Sequence, residues 1–479
     1  MVTSAPSNSP HRVVVIGGGP GGYEAALAAA QLGAKSVLIE KSGIGGSAVL
    51  TDVVPSKTLI ATADAAVAAY EAAELGVHLA TDDGLEIKKP KASINLAEVN
   101  ARLLRLAQET SSDMLANLKK AGVTVINGEG RLDGPHRVVA RGADGIDIDS
   151  FDADSIVIAV GARPRVLDTA KPDGKRIFTW TQLYSLEAVP EHLIVIGSGV
   201  TGAEFASAYT NLGSKVTLVS SRDRVLPGED SDAAAVLEDV LLRRGMGLRT
   251  KARADSVTAT ENGVVVTLSD GSTIEGSHCL VAVGSIPNTN GIGLESAGVS
   301  VDDSGRVTVN RVARTSASNI YAVGDCSDAT PLASIASHQG RTAVFHTLGD
   351  FAKPLDPRLV CSNIFTSPEI ATVGFSENDV NSGAVSGIVF KLDLAANPRA
   401  KMQGTTDGFI KLIAQPDSGI LIGGVIVAPR ASELISLLSF AMEHRHTVDQ
   451  LARSWSIYPS LAGGIADTAK AMHLLKKGS

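Results

Sequence analysis

The feature that most restricts what this chain can fold into is a gap-free internal repeat. Residues 13–40 read VVVIGGGPGGYEAALAAAQLGAKSVLIE, and residues 193–220 read LIVIGSGVTGAEFASAYTNLGSKVTLVS, at a constant offset of 180. Gly17, Gly19 and Gly22 align with Gly197, Gly199 and Gly202, Glu24 with Glu204, and Gly33 with Gly213. Each copy has an apolar run of strand length, a glycine turn, an alanine-rich helical stretch and a second apolar run, which is the pattern of a βαβ unit. In such a unit the first glycine makes the tight turn, the second lets the backbone approach a pyrophosphate, and the third lets helix and strand pack closely. The helix N-terminus then favours the phosphate charge. Two copies in full context predict two dinucleotide sites and an α/β fold with two Rossmann-like domains.

The copies differ where a dinucleotide would be told apart. Glu40 ends the second strand of the first copy, where a carboxylate binds a ribose diol and repels a 2′-phosphate. Its counterpart is Ser220, followed by Ser221, Arg222 and Arg224. Hydroxyls and guanidiniums can accept a 2′-phosphate, so the second site is read as preferring NADPH, with NADH also possible. A solvated charged turn is the plainer reading of the same residues.

A weaker repeat relates VIAVGARP (157–164) to LVAVGSIP (280–287). These runs read as buried strands ending in Gly161 and Gly284, where close backbone approach is expected. They mark the crossings into and out of the second nucleotide domain. IYAVGDCSD (320–328) reads as another strand, with Asp325 either accepting from a cofactor hydroxyl or capping the next helix. Asn95 with Glu98 reads as a helix start, and TDDGLEIKKPKAS before it as a polar connector. From about residue 350 the pattern changes. GFIKLIA and ILIGGVIVA flank QPDSG as an antiparallel hairpin, and the helix SELISLLSFAMEH follows.

Size and charge narrow the class. The 479 residues allow about three domains, and a net charge of −8 argues against nonspecific nucleic-acid binding. No apolar run reaches the roughly 18 residues of a membrane span. The opening MVTSAPSNSPH reads as a disordered tail and lacks the regions of a signal peptide, so the expected location is cytoplasmic. Cys279, Cys326 and Cys361 are far apart in sequence. They predict no disulfide framework and no zinc site, and each reads as a structural cysteine.

The chain resembles the flavoprotein disulfide reductase family, which includes lipoamide dehydrogenase and glutathione reductase. The resemblance rests on GGGPGG, GGSAVLTDVVPSK, AVGARP, GSGVTGAE, AVGSIPN, YAVGD and FTSPEIATVG. It implies an FAD-binding domain (1–160 and 285–350), an inserted NAD(P)H-binding domain (161–284) and an α+β C-terminal dimerisation domain (351–479), hence a homodimer. It also implies FAD contacts from Gly17, Gly19, Gly22, Glu40, Gly46, Lys57, Gly128, Gly130, Gly161 and Asp325. Around the nicotinamide cofactor it places Gly197, Gly199, Gly202, Glu204, Arg222 and Gly284, beside the Ser221 already read there. Lys57 and Glu204 match the family's ion pair near flavin N5, with a purely structural salt bridge as the alternative.

Two departures from the family then direct the functional reading. The family loop GG-x-C-x₄-C-x-PSK aligns on GGSAVLTDVVPSK with Ala48 and Val53 at the cysteine positions. Methyl and isopropyl groups cannot carry out thiol–disulfide exchange. Near the C-terminus, the family's His and Glu proton-transfer pair is replaced by Tyr458 and Gly463 in SIYPSLAG. Hydride loading from a nicotinamide remains possible, so an acceptor must take electrons directly from FAD. A flat, partly apolar quinone fits that demand, and the chain also resembles family members that lost the disulfide and reduce quinones. Tyr458 either hydrogen-bonds a quinone oxygen from the partner subunit or packs in the interface. The expected activity is NAD(P)H:quinone oxidoreduction. A soluble nicotinamide transhydrogenase and a non-catalytic FAD-binding sensor or scaffold are the alternatives, and lipoamide dehydrogenase activity is disfavoured.

Overall fold

The computed structural model describes residues 10–78 and 93–478. The N-terminal tail and most of the polar connector named above lie outside these residues. The chain divides into two compact units. One comprises residues 1–56, 101–165 and 284–356, the other residues 57–100, 166–283 and 357–479.

The first unit is built on a five-stranded parallel sheet in the order Ile320–Ala322, Ser155–Ile158, Arg12–Ile16, Lys35–Glu40, Thr124–Asn127. Val13 to Ile16 are all buried, which explains why this strand reads as an uninterrupted apolar run: a parallel sheet is covered on both faces. Val14 and Ile16 enter one core cluster with Ile156 and Ile158. Val13 and Val15 enter another, with Ala25, Ala26 and Ala29 of helix Pro20–Gln31. Alanines on that helix bring its axis close to the sheet, and Gly340 of helix Ala333–Thr347 has no room for a Cβ, which would lie 2.1 Å from the Gly21 carbonyl oxygen.

The second unit repeats the first sheet's plan. Its parallel order is Gly247–Arg249, Lys215–Val219, His192–Ile196, His278–Val281, Ile177–Phe178. Strand Arg12–Ile16 and helix Pro20–Gln31 have counterparts in His192–Ile196 and Val200–Asn211, again 180 residues on. The weaker repeat also holds in register, since Ser155–Ile158 flanks the first strand of one copy and His278–Val281 that of the other. Its ends, Ala162–Pro164 and Ser285–Pro287, pair with each other antiparallel in the first unit. Residues 57–100, grouped by sequence with the first dinucleotide domain, lie in the second unit. Side chains tie them there: Asn100 donates to the Leu186 carbonyl (2.6 Å) and Arg244 to Glu71 (3.3 Å).

The C-terminal part of this unit is a five-stranded antiparallel sheet, Ser362–Ile364, Glu369–Gly374, Leu421–Ala428, Phe409–Ala414, Ile388–Asp393. Helices Ala431–Glu443 and Gly463–Gly478 share its core cluster through Ile435, Leu438, Ile465 and Ala469. Cys361 precedes the first of these strands by one residue.

Lys411 on this sheet is 1% exposed and holds Asp230 (2.8 Å), Asp232 (3.0 Å) and Glu377. Asp230 in turn caps helix Ser231–Arg243 by accepting from the Asp232 and Ala233 amides. Burial opposes the Lys411 charge, but the bonds to Asp230, Glu377 and Asp232 outweigh it and hold the ammonium above the usual lysine range. Burial likewise opposes the charge of Asp232, and the bonds from Lys391 and Lys411 keep its carboxyl below the usual range. Lys411→Met removes the cation bonded to the buried Asp230 carboxylate and is expected to cost about 3–5 kcal/mol, read as a lower urea midpoint by circular dichroism. A raised lysine stabilises below its unfolded value and stops doing so as pH rises past it. A depressed carboxylate stabilises above its unfolded value. The gap between wild type and variant should therefore be widest near neutrality, closing above about pH 10.4 and below about pH 4.

Candidate functional site

In the first unit, the glycine turn between Ile16 and Pro20 opens a cavity of about 550 Å³. Gly17 has φ +99, and a Cβ there would stand 2.4 Å from the Ala159 carbonyl oxygen. A Cβ on Gly22 would lie 1.9 Å from the Gly17 carbonyl oxygen. A Cβ on Gly19 would meet no protein atom within 4 Å, and Gly19 lines the cavity. The three glycines thus divide the work as the sequence pattern predicts: turn, open approach, and helix packing. Helix Pro20–Gln31 begins with Pro20, whose missing amide costs nothing at this position.

Around this turn the cavity is lined by Glu40, Gly46, Ala48, Val53, Gly128, Gly130, Gly161 and Asp325, among others. Gly46 has φ +55, and its Cβ would stand 2.9 Å from the Gly19 Cα, so loop 43–46 is seated on the glycine turn itself. The Gly45 amide donates to the Gly18 carbonyl at 2.8 Å. Glu40 accepts from the Gly18 amide (2.6 Å) with one oxygen and from the Ser42 (2.5 Å) and Gly43 (3.3 Å) amides with the other. Its carboxylate is fixed by backbone donors before any ligand arrives. Gly130 packs on Ile16, which its Cβ would approach to 2.7 Å. Asp325 sits in the turn Gly324–Cys326 and does not cap the following helix, which starts at Ala333 with Leu332 in the capping position. Burial pushes the Asp325 carboxyl above the usual range, and Arg306 partly offsets it. A hydroxyl donor in the cavity would relieve that cost.

The second fingerprint, in the other unit, has the same geometry. Gly197 has φ +110 with its Cβ position 2.2 Å from the Ala282 oxygen, the Gly202 Cβ position is 1.8 Å from the Gly197 oxygen, and Gly199 faces open space. Gly161 and Gly284 have φ +63 and +93, and a Cβ on either would meet no protein atom within 4 Å. They supply left-handed backbone, and no other part of the chain packs against the Cβ position of either. Each carbonyl is nevertheless used: Gly161 accepts from the Asn288 amide and Gly284 from the Arg165 amide, both at 2.9 Å. Ser220, at the position of Glu40, is buried, while Ser221 and Arg222 are exposed.

Lys57 and Glu204 meet within the second unit at 2.7 Å. Lys57 stands one turn after Val53 on helix Val53–Glu71, and Glu204 lies on helix Val200–Asn211 just after the second glycine turn. Glu204 is 4% exposed, and its other oxygen accepts from the Phe365 amide at 2.9 Å. The Lys57 ammonium lies over the Phe365 ring, 4.9 Å from its centre. Sequence reasoning quoted Phe365 only within a family motif. Its role as the third member of this cluster depends on a backbone amide, which no residue type announces. Asn288 was missed in the same way: its side chain donates to the Val160 carbonyl at 3.0 Å and fixes a wall of the cavity.

Tyr458 is 81% exposed, beside the exposed Ile457 and the fully exposed Trp455. No cysteine lines the cavity. Cys326 is fully buried and donates to the Val323 carbonyl at 3.3 Å, with its thiol pushed up by burial to about 11. Cys279 is fully buried in strand His278–Val281, and Cys361 is half-buried below Ile435; burial raises both thiols. Among the described residues no cluster of histidine, cysteine and carboxylate side chains could hold a metal ion, and no helix is long and apolar enough to cross a membrane.

The pyridine nucleotide-disulphide oxidoreductase pattern matches residues 11–340, and the dimerisation domain of the same oxidoreductases matches residues 360–469. The chain belongs to this family. FAD and NAD(P)H are the family's cofactors, and the fold is that of the flavoprotein disulfide reductases, with two nucleotide domains and a C-terminal dimerisation domain. The NAD(P)H dehydrogenase (quinone) of Mycobacterium tuberculosis is 47% identical over 470 residues, 96% of this chain and 94% of that protein. The dihydrolipoyl dehydrogenase of Bacillus subtilis is 32% identical over 471 residues, 96% and 97% of the two. The crystal structure of LpdA from Mycobacterium tuberculosis superimposes with a TM-score of 0.90 at 46% identity, covering 96% of this chain and 99% of that one. The HOCl-induced flavoprotein disulfide reductase RclA from Escherichia coli, at 24% identity and a TM-score of 0.82, shares the fold.

The cavity fits the family's FAD: it is lined by the glycine turn, with Glu40 and Asp325 beside it, and open where Gly19 has no Cβ. Gly22→Ala forces a methyl against the Gly17 carbonyl and displaces the turn. The purified variant is expected to retain less than about a tenth of the wild-type flavin per chain, measured by the ratio of visible to protein absorbance. Full flavin content in that variant would contradict the role given to this contact.

Proposed function

We propose that the chain is an FAD-dependent NAD(P)H:quinone oxidoreductase. The observation that carries this reading is the cavity wall at Ala48 and Val53, which stand at the positions of the family's redox cysteines with no other cysteine lining the cavity. The relative named NAD(P)H dehydrogenase (quinone) supports it. FAD supplies the redox chemistry when bound, taking a hydride from reduced nicotinamide and releasing electrons to an acceptor.

The chain's own residues bind, orient and balance charge. The open Gly19 and the amide-rich turn bind the pyrophosphate, and Glu40 and Asp325 accept from hydroxyls of the same cofactor. Gly199 and the second helix N-terminus do the same for the nicotinamide dinucleotide, with Ser221 and Arg222 directed to a 2′-phosphate, so NADPH is preferred and NADH tolerated. Lys57, held by Glu204, is the cation assigned to offset negative charge on the reduced cofactor. The Phe365 amide holds Glu204 so that the carboxylate cannot follow the ammonium. Ala48 and Val53 give an apolar wall for a flat acceptor. The exposed Trp455, Ile457 and Tyr458 in the dimerisation domain favour a homodimer, because such a patch is costly in water. The Tyr458 hydroxyl is then free to hydrogen-bond an acceptor oxygen. A cytoplasmic enzyme is the accompanying expectation.

Steady-state assays with purified holoenzyme separate the possibilities. NADPH oxidation should proceed with a naphthoquinone and show parallel-line, ping-pong kinetics, and dihydrolipoamide should give no turnover. Lipoamide turnover matching the quinone rate would overturn the proposal. Transfer from NADPH to thio-NAD that outpaces quinone reduction would point to a transhydrogenase instead. Tyr458→Phe should raise KM for the quinone about fivefold, the worth of one neutral hydrogen bond, at unchanged flavin content. Lys57→Met should lower the rate of anaerobic flavin reduction by NADPH by about a hundredfold while flavin remains bound; an unchanged rate would reduce Lys57 to a structural ion pair.

A further inference from the structure

Two segments of the second nucleotide domain carry an unusual local charge. Residues 220–224 read SSRDR and residues 249–253 read RTKAR, five cations against the single acid Asp223, on a chain of net charge −8. Nothing in the 180-residue repeat brings the second segment to the first. The backbone does. The Ser220 amide donates to the Arg249 carbonyl (2.8 Å), the Lys251 amide to the Arg222 carbonyl (2.7 Å), and the Ala252 amide to the Ser220 carbonyl (2.9 Å). Lys251 is thereby set beside Arg222.

Lys251 adopts φ +52, the left-handed region that a lysine occupies at a cost. That cost is borne at a position whose side chain is exposed and bonds to no other described residue, as is also true of Arg222. Arg249 is placed differently, lining a separate cavity with His192, Lys215 and Glu275. The Arg222 loop is also shaped from within. The buried Ser220 hydroxyl pairs with that of Ser198 (2.7 Å), donates to the Arg224 carbonyl (3.2 Å) and accepts from the Arg222 amide (3.1 Å). Where Glu40 offers a carboxylate in the first copy, the second copy seals a hydroxyl into the turn and presents two unpaired cations.

We propose that Lys251 is a specificity-determining residue that binds the adenosine 2′-phosphate of NADPH together with Arg222. The inference rests on the reading of the second fingerprint as the NADPH site. Arg222 offers a planar fork and Lys251 a compact point charge, a combination suited to a phosphate dianion approached from two sides. Neither cation must break an ion pair to bind. Both stand in solvent, so the contribution is screened by salt.

Isothermal titration of the purified holoenzyme with 2′,5′-ADP and with 5′-ADP, at low salt, tests this without reference to turnover. Lys251→Ala should weaken 2′,5′-ADP about tenfold and leave 5′-ADP unchanged. Lys251→Asn, which tolerates the left-handed backbone, should do the same, and Lys251→Arg should retain most of the affinity. The ratio of kcat/KM for NADPH over NADH should fall in step. If Arg222→Ala weakens 2′,5′-ADP while both neutral Lys251 variants leave it unchanged, Lys251 has no such role and the NADPH reading survives. If wild type binds 5′-ADP as tightly as 2′,5′-ADP, the NADPH reading fails and this inference fails with it.

Discussion

The contact between the Gly22 backbone and the Gly17 carbonyl, with no room for a Cβ between them, is the constraint on which the rest of the first unit depends. It lets helix Pro20–Gln31 start directly on the end of strand Arg12–Ile16, so the first amides of the helix face the cavity. It leaves Gly19 bare at the point where the backbone must approach a phosphate. Loop 43–46 then rests on Gly19 through Gly46, and the short helix Gly46–Leu50 that follows it carries Ala48 and leads to Val53. A single steric requirement therefore fixes the phosphate cradle and the wall against which an acceptor would lie. The same contact between Gly202 and Gly197 organises the second nucleotide domain.

The two copies share this frame and diverge in charge. In the first, Glu40 is held by three backbone amides and confronts the cavity with a fixed negative charge. In the second, Ser220 closes a hydrogen-bonded turn and the outward charges are positive. The two copies thus share the steric frame of the glycine turn and differ in the charge presented beside it. The Lys57–Glu204–Phe365 cluster follows a related logic. A nearly buried carboxylate is stable only because it is shared between an ammonium and an amide, and this sharing pins the ammonium in one place.

The absence of the redox cysteines followed from the resemblance to the family loop, in which GG and PSK bracket the two positions now held by Ala48 and Val53. Cys279 and Cys326 were legible as buried, since the first sits in an apolar run and the second next to one, whereas Cys361 is only half-buried. The role of Asp325 was not legible. A Gly-Asp pair after an apolar strand is compatible with a helix cap, and only the position of Leu332 ahead of Ala333 settles that it is not one. Gly161 and Gly284 both take positive φ, which could not be read in advance, because a sequence shows a glycine without showing whether steric room or positive φ demands it.

What the sequence determined by itself is whatever is periodic or contiguous: the duplicated βαβ units, their glycine turns and the antiparallel C-terminal hairpin. These follow from short-range sterics and alternation of apolar residues, which act over a few residues along the chain. The tertiary structure alone decided the partners that are distant in sequence: Phe365 with Glu204, Lys411 with Asp230, and Lys251 with Arg222. Phe365 and Lys251 are joined to their partners through backbone amides, which are the same in every residue, and Lys411 meets Asp230 through side chains far apart in the chain. Only the folded register brings them together.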